Sequence, residues 1–518
     1  MYDRGGLRTS GVGRFILRMS AEQLCFRRLV VEVRASVAYR VRRAGSATYV
    51  YLSLFDDEID DRFDVFLGRG ADGQSLELTD GVVIVCDDDS VRVLRGASCT
   101  FPLYQWADDR GLRVTTHLGI GQSAKLSAAA LVAATAAVVL QGSFEPNAFT
   151  TTPLSGWRRL RRGASTTFDD GRRDEIIEHV VSDANDEAKI FDQLRRAFAA
   201  YAASQRRVQS SVVELSGGYD STLAAAARSP GHTMRGISAE FPFYEFRFEA
   251  AVQSATAAAL GISRTVIDGL EVFPYAPWTA APRFDEPSVF VTGIRHAEIV
   301  GEFARAHDAT RIYTGHGGDH LFAVDLTASE SASTDLSRGA FSPAAYRAIR
   351  AAVTQARDAR FLRRSTGCFV YDSRQDIWAK ERFGAVVRTP FTDTALFRAG
   401  LAWSQFSRER GVRPDKGVLV KAVPELLPAA VVNRRGKVAY DGVWTRAYAT
   451  NQDHIGATIE RAASILEHIG FSPTWLLDRV RALAGWQPVS DREVLAGYAL
   501  STWLAAWGLT RVSDVSWE

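Results

Sequence analysis

The run Val212-Val213-Glu214-Leu215 passes through Ser216-Gly217-Gly218-Tyr219-Asp220-Ser221 into Thr222-Leu223-Ala224-Ala225-Ala226-Ala227. No other junction in the chain constrains the fold as strongly. The apolar run has strand character, and the alanine-rich stretch reads as the start of a helix. A small, glycine-rich turn between strand and helix lets backbone N–H groups approach an anion, and the helix N-terminus adds a favourable dipole. Ser216 and Ser221 can donate hydroxyl hydrogen bonds to phosphate oxygens, and Asp220 is placed to hold a metal against them. These features describe a phosphate site of nucleotide type. The chain has no GxxxxGK[ST], so the site is not a Walker-type loop.

A second segment has the same form. Arg311-Ile312-Tyr313 reads as a short strand ending in Thr314-Gly315-His316-Gly317-Gly318-Asp319-His320-Leu321-Phe322. Ligands of open α/β sheets sit at the carboxyl ends of neighbouring strands, so the two loops are expected to face one another. Asp220 and Asp319 would then be the two carboxylates that Mg²⁺ bridges, since hard oxygen ligands suit that ion.

SGGxDS resembles the pyrophosphate-releasing loop of the ATP pyrophosphatases, which cleave ATP to AMP and pyrophosphate. The separation of about a hundred residues between Asp220 and Asp319 resembles the asparagine-synthetase-like branch of that family, which carries a Gly-x-Gly-x-Asp loop there. Within the branch, GHGGDH followed by Leu-Phe looks most like the lasso-peptide macrolactam synthetases, or lasso cyclases. Asparagine synthetases usually have an acidic residue after the aspartate, where this chain has His320. The resemblance implies ATP and Mg²⁺ as cofactors. ATP would contact Leu215, Ser216, Gly217, Gly218, Asp220, Ser221, Ser238, Gly315, Gly317 and Gly318, and the metal would contact Asp220 and Asp319. Leu427-Pro428 followed by Arg435-Gly436-Lys437 echoes a family stretch whose lysine reaches the reacting centre, although Lys437 lies one residue further from the Leu-Pro than usual. Lys437, with Arg434 as the alternative, would supply the cation that stabilises the charge developing on pyrophosphate and on the later oxyanion.

The resemblance extends to fold and domains. Residues 1–170 would form a degenerate glutamine-amidotransferase-like domain of Ntn-hydrolase αββα type. Its strands are expected at Leu29–Arg34, Val82–Val85 and Val91–Leu94, with turns at Asp72-Gly73 and Asp80-Gly81 and a buried helix from Leu126 to Leu140. Glutamine-hydrolysing members use a cysteine as their first mature residue, whose free α-amine serves as base. Here Tyr2 follows Met1 and the first cysteine is Cys25, so glutaminase chemistry is expected to be lost. Residues 164–188, polar and charged, read as the link. Residues 186–518 would form an adenine-nucleotide α-hydrolase-like synthetase domain of doubly wound α/β type with a helical C-terminal extension. Its expected elements are strands at Met234–Phe241 and Arg264–Ile267 and helices at Phe248–Leu260 and Ile299–Ala306. Beyond Asp376 helices dominate, including Thr458–His468, Trp475–Ala484 and Arg492–Trp507. Asp285-Glu286-Pro287 resembles a family turn near the acyl substrate and reads equally well as a surface turn. Arg388-Thr389-Pro390-Phe391-Thr392-Asp393 resembles a structural RxPFxD segment.

Composition narrows the function classes. With 62 Lys+Arg against 60 Asp+Glu the net charge is +2, which gives no global basic field for nucleic acid. The local cluster Trp157-Arg158-Arg159-Leu160-Arg161-Arg162 reads as a solvated turn or a domain-interface patch. Cys25, Cys86, Cys99 and Cys368 show no CxxC or metal spacing and read as reduced thiols of a cytoplasmic protein. No segment reads as a membrane span or a signal peptide, and Met19 is an alternative start. The resemblance implies ATP-dependent isopeptide closure in a precursor peptide, with its leader peptidase as partner. Adenylation of an Asp or Glu side chain would be followed by attack of the peptide N-terminal amine. The competing readings are a small-molecule amide ligase of asparagine-synthetase or β-lactam-synthetase type, and a non-catalytic protein that only binds precursor peptide.

Overall fold

The computed structural model describes residues 21–26, 29–34, 36–44, 47–54, 81–87, 90–96, 99, 101–108, 111–118, 126–132, 134, 152–154, 156–169, 172–177, 186–205, 208–228, 231–322, 336–358, 374–412, 415–434, 441–487, 491–509 and 511–516. Its centre is a five-stranded parallel sheet built from β1 (Ser210–Glu214), β2 (Thr233–Glu240), β3 (Ser263–Asp268), β4 (Arg311–Tyr313) and β5 (Val386–Arg388). The spatial order is β3-β2-β1-β4-β5. The chain winds outward from β1 to β3 and then crosses back to β4, so the order reverses between β1 and β4. A ligand crevice opens at such a switch point.

Alternation along β1 sends neighbouring valines to opposite faces of the sheet. Val212 joins Ile237, Ile312 and Val387 against Val300 and Ala304 of helix α4 (Ile294–Ala306). Val213, Leu215 and Tyr313 face the other way, against Ile190, Leu194 and Phe198 of helix α1 (Glu187–Ser204). Helices α2 (Tyr219–Ala226) and α3 (Arg247–Ala259) follow β1 and β2. The sequence places these elements within one to a few residues. The exception is α4, which starts at Ile294 because the 3-10 turn Val289–Gly293 runs directly into it.

The N-terminal part is two facing sheets with a shared core that includes Val31, Val50, Ile84, Val93, Leu112 and Val114. One sheet runs Ala21–Phe26, Leu29–Arg34, Gly111–Thr115, Tyr104–Asp108, Arg158–Arg159. The other runs Arg172–Ile177, Ala164–Asp169, Ser90–Arg95, Val82–Cys86, Ala47–Ser53, Ala38–Ala44. The second sheet corrects the expected link. Residues 164–177 form an antiparallel hairpin, with Ala164 opposite Ile177 and Phe168 opposite Arg173. Ala164, Ser165, Thr166 and Phe168 are all buried, Ala164 and Phe168 within the core of the sandwich. The helix expected from Leu126 begins at Ala128, because Leu126-Ser127 is taken up as a strand paired with Val515-Ser516. Asp72-Gly73 lies outside the described residues.

Asp285 and Glu286 are buried between the two parts. The Asp285 carboxylate accepts from the backbone N–H of Leu118 at 3.1 Å and pairs with Arg34 at 3.4 Å. Glu286 pairs with Arg159 and accepts from the Tyr104 hydroxyl at 3.3 Å. Of the two readings of the basic cluster, Arg159 therefore takes the interface one. The 285–287 turn is a buried seam rather than a surface turn.

Toward the C-terminus, helices α8 (Asp441–Arg461), α9 (Pro473–Ala484) and α10 (Arg492–Ala506) pack into one core with Tyr275, Phe284 and Val291. Between α4 and α8 the chain forms, among other helices, α5 (Gly318–Phe322), α6 (Thr394–Glu409) and α7 (Gly417–Ala422). Among the described residues no helix is long and apolar enough to cross a membrane.

Candidate nucleotide site

The parallel register of β1 and β4 pairs Val212 with Ile312 and Val213 with Tyr313, so both strands release their loops on the same side of the sheet. After β1 the backbone turns through Gly217, at φ +72°, a conformation that side-chain-bearing residues rarely adopt. Ser216 and Ser221 close the turn, with their hydroxyls 2.9 Å apart and the Ser216 N–H donating to Ser221 Oγ at 3.2 Å. The Gly218 carbonyl accepts from Thr222 Oγ1 at 2.7 Å, which fixes the first turn of α2. After β4, Gly317 takes φ +96°. Gly315 lies so close to α2 that a Cβ there would stand 2.5 Å from the Ser221 nitrogen. The Gly318 position presses in the same way on the Asp220 carboxylate. The two loops are packed against each other, and the glycines are what allow it.

Between them lies a cleft of about 560 Å³, large enough for a nucleotide, lined among others by Leu215, Ser216, Gly218, Asp220, Ser221, Ser238, Gly315 and Asp319. Seven of the ten expected ATP residues and both expected metal carboxylates line it, and Gly217, Gly317 and Gly318 lie in the turns that shape it. Ser238, at the end of β2, donates to the Leu215 carbonyl at 2.6 Å and ties the two strand ends together. Lys437, Arg435 and Gly436 lie outside the described residues. Arg434 lines the cleft. Its guanidinium donates to the Gly217 carbonyl at 3.1 Å and pairs with Glu249 of α3. It holds the loop in place as well as offering charge.

Lys416 is the residue that sequence reasoning missed. Its ammonium lies 2.6 Å from Asp319 Oδ1 and also contacts Asp220 Oδ2. It stands alone in the turn Asp415-Lys416-Gly417 ahead of α7, where no motif marks it. A single cation reaches both carboxylates, so the pair does converge. Two carboxylates with neighbouring serine hydroxyls are hard oxygen donors, and they fit Mg²⁺ when substrate phosphates complete its shell. Among the described residues no group of three or more His, Cys, Asp and Glu could hold a metal by itself. The donor set therefore suits a magnesium ion held by Asp220 and Asp319 together with phosphates.

A second charged cluster lines the same cleft. Glu214, the last residue of β1, accepts from or pairs with His296 Nε2 of α4 at 3.0 Å, and His316 of the second loop stands beside them. Burial favours a neutral Glu214, but the hydrogen bond and charge of His296, with His316 adding, outweigh it and hold the carboxyl below its usual range. Burial also disfavours a charged His296, yet its bond to Glu214 raises it above the ordinary imidazole value. His316 is pushed down, first by desolvation and then by His296, against a smaller opposing pull from Glu214. The RTPFTD segment supports this loop from below. Thr389 Oγ1 donates to the His316 carbonyl at 2.7 Å, Phe391 is fully buried, and Asp393 caps α6 through the Ala395 N–H at 3.0 Å.

No family model and no curated protein matches the chain. Among solved structures it aligns with the U34-tRNA thiolase NcsA from Methanococcus maripaludis, at 10% identity over 59% of this chain and 82% of that one, with a TM-score of 0.23. A likeness that low carries no argument about fold or chemistry.

Proposed function

We propose that the chain is an ATP-dependent, AMP-forming amide ligase that closes a macrolactam in a ribosomal lasso peptide. The observation that carries the ATP-using part is the convergence of Asp220 and Asp319 from two glycine loops on adjacent parallel strands, within reach of one ammonium. The wording of those loops supports the finer reading, since SGGYDS and GHGGDH together resemble the lasso cyclases.

In this reading an Asp or Glu side chain of the peptide attacks the α-phosphorus of ATP. Its carboxylate oxygen forms the new P–O bond, and pyrophosphate leaves. Asp220 and Asp319 would hold a magnesium ion, which would supply charge neutralisation for the phosphates. Lys416 and Arg434 add fixed cationic charge on the cleft wall, where a preorganised donor stabilises developing charge most. The N-terminal amine of the same peptide then forms the amide bond and AMP leaves. The peptide brings its own nucleophile, so an amidotransferase-like domain without glutaminase chemistry costs the reaction nothing. Holding a folded peptide with amine and acyl group adjacent would be proximity catalysis. A leader peptidase that exposes the amine is the expected partner.

The test is direct. The protein is incubated with Mg·ATP, a synthetic core peptide and a leader peptidase. AMP should form together with a peptide lighter by one water. Blocking the N-terminal amine should stop the mass loss and leave acceptor-dependent pyrophosphate release in place. AMP formed with aspartate plus ammonia, and never with a peptide, would replace this reading by asparagine synthesis.

A further inference from the structure

The amine that forms the amide must lose a proton as the C–N bond forms, and neither carboxylate engaged by Lys416 is suited to take it. The cleft holds one other candidate on the second loop. His316 is carried between β4 and Asp319, and its backbone is fixed by the Thr389 bond to its carbonyl and by its own N–H donating to Thr314 Oγ1 at 3.3 Å. Behind it the Glu214–His296 pair spans 3.0 Å between β1 and α4, elements that are themselves packed together. The charged and titratable groups that share the cleft with His316 are Glu214 from β1, His296 from α4, Asp220 from α2, Asp319 from its own loop, Lys416 ahead of α7 and Arg434.

The geometry points to His316 as the proton acceptor for the attacking amine, with the Glu214–His296 pair beside it in the same cleft as its charged neighbour. This rests on the amide-forming reaction proposed above. The amine nitrogen bonds to the acyl carbon, the acyl C–O bond to AMP breaks, and the N–H proton passes to an imidazole nitrogen of His316 and on to water. Two imidazoles in one cleft are pushed in opposite directions by their surroundings, His296 toward the charged form and His316 toward the neutral one, a division that marks acid–base assignments in general. The bond to Glu214 favours a proton on His296. A second proton on His316 is disfavoured by burial and, against the pull of Glu214, by His296. At neutral pH His316 is therefore the group able to accept.

Three measurements on the full-length protein decide it. With the core peptide and Mg·ATP, His316→Gln should slow ring closure about 10²-fold or more, and at least tenfold more than it slows peptide-dependent pyrophosphate exchange. Hydroxylamine, which is already unprotonated at neutral pH, should capture the adenylate of this variant at a rate near that of wild type. His296→Gln should move the acidic limb of the ring-closure pH profile to higher pH. Removing the cation raises His316 with Glu214 still beside it, and a base with a raised pKa loses its neutral form sooner on acidification. Equal slowing of exchange and closure, or an unmoved limb, overturns the assignment. The third measurement needs no peptide: mass-spectrometric hydrogen exchange at each imidazole carbon should show His316 titrating below His296. The reverse order overturns the inference. If no peptide is closed by wild type, the proposed function fails, and this titration order alone then decides the charge assignment.

Discussion

Lys416 Nζ stands 2.6 Å from Asp319 Oδ1 while also touching Asp220, so one ammonium neutralises two carboxylates supplied by different loops. Replacing it with methionine keeps length and removes charge. Lys416→Met should lower the rate of pyrophosphate release by ~2–4 kcal/mol of barrier, the cost of losing a preorganised donor of charge stabilisation. Single-turnover release of pyrophosphate from Mg·ATP and core peptide measures it. Wild-type release would remove Lys416 from the chemistry.

The two carboxylates should behave differently from the lysine. Asp220→Asn or Asp319→Asn is expected to abolish peptide-dependent pyrophosphate release at ordinary Mg²⁺ while circular dichroism stays native, because metal coupling to the phosphates is lost. Near-normal turnover in either variant at that metal concentration would show that the ion sits elsewhere.

Glutamine should not be hydrolysed. Burial raises the Cys86 thiol to about 12 with Asp87 adding, and burial also raises Cys99 against the opposing pull of Arg95. Both are buried thiols without nucleophilic character. Cys25 lies within a strand rather than at a chain end. Glutamate production by the pure protein, abolished by Cys25→Ala, would contradict this.

The buried seam between the two parts is a stability prediction. Arg159→Ala strips Glu286 of its paired guanidinium in a site where both side chains are nearly inaccessible. Breaking a buried ion pair from one side costs about 3–5 kcal/mol. Urea unfolding should show that loss in Arg159→Ala and a much smaller one in the double variant Arg159→Met/Glu286→Gln. Equal losses in the two would mean that the seam is held by packing alone.

The Glu214–His296 pair predicts a pH window. Glu214 is lowered on folding, so its contribution is present above its unfolded value and fades as pH falls through the folded one. His296 is raised, so its contribution is present below its unfolded value and fades as pH rises through the folded one. Both act together between the ordinary values of 4.5 and 6.5. The stability difference between wild type and His296→Gln should be largest in that interval and shrink on either side. A difference independent of pH would show the pair to be uncharged.

What could be read from the chain was local. Strand β4 and both glycine loops follow from residues that are neighbours in sequence, because a tight turn between a strand and a helix needs specific residue types at fixed offsets. Lys416 and the Glu214–His296 pair could not be found that way. Glu214 sits in an apolar run, His296 lies inside a helix, and Lys416 joins its carboxylates only once α7 is packed beside α1 and α2. Residues 164–177 were misleading for another reason. A strand that buries Ser165 and Thr166 has the composition of a linker, and its partner strand Ser90–Arg95 lies some seventy residues earlier. The seam at Asp285 and Glu286 is likewise invisible until the N-terminal sheets supply Arg34 and Arg159.

Asp220 and Asp319 each open the short helix that follows one of two hydrogen-bonded neighbouring strands. Their separation is therefore governed by the ladder spacing of a parallel sheet, ~4.8 Å between strands, and hardly at all by the chain between them. That intervening stretch can lengthen, shorten or exchange its surface without moving the reacting centre. The same arrangement leaves the substrate-facing segments open to rapid divergence while the phosphate chemistry stays fixed, a division of labour that would let one scaffold serve many different acceptors.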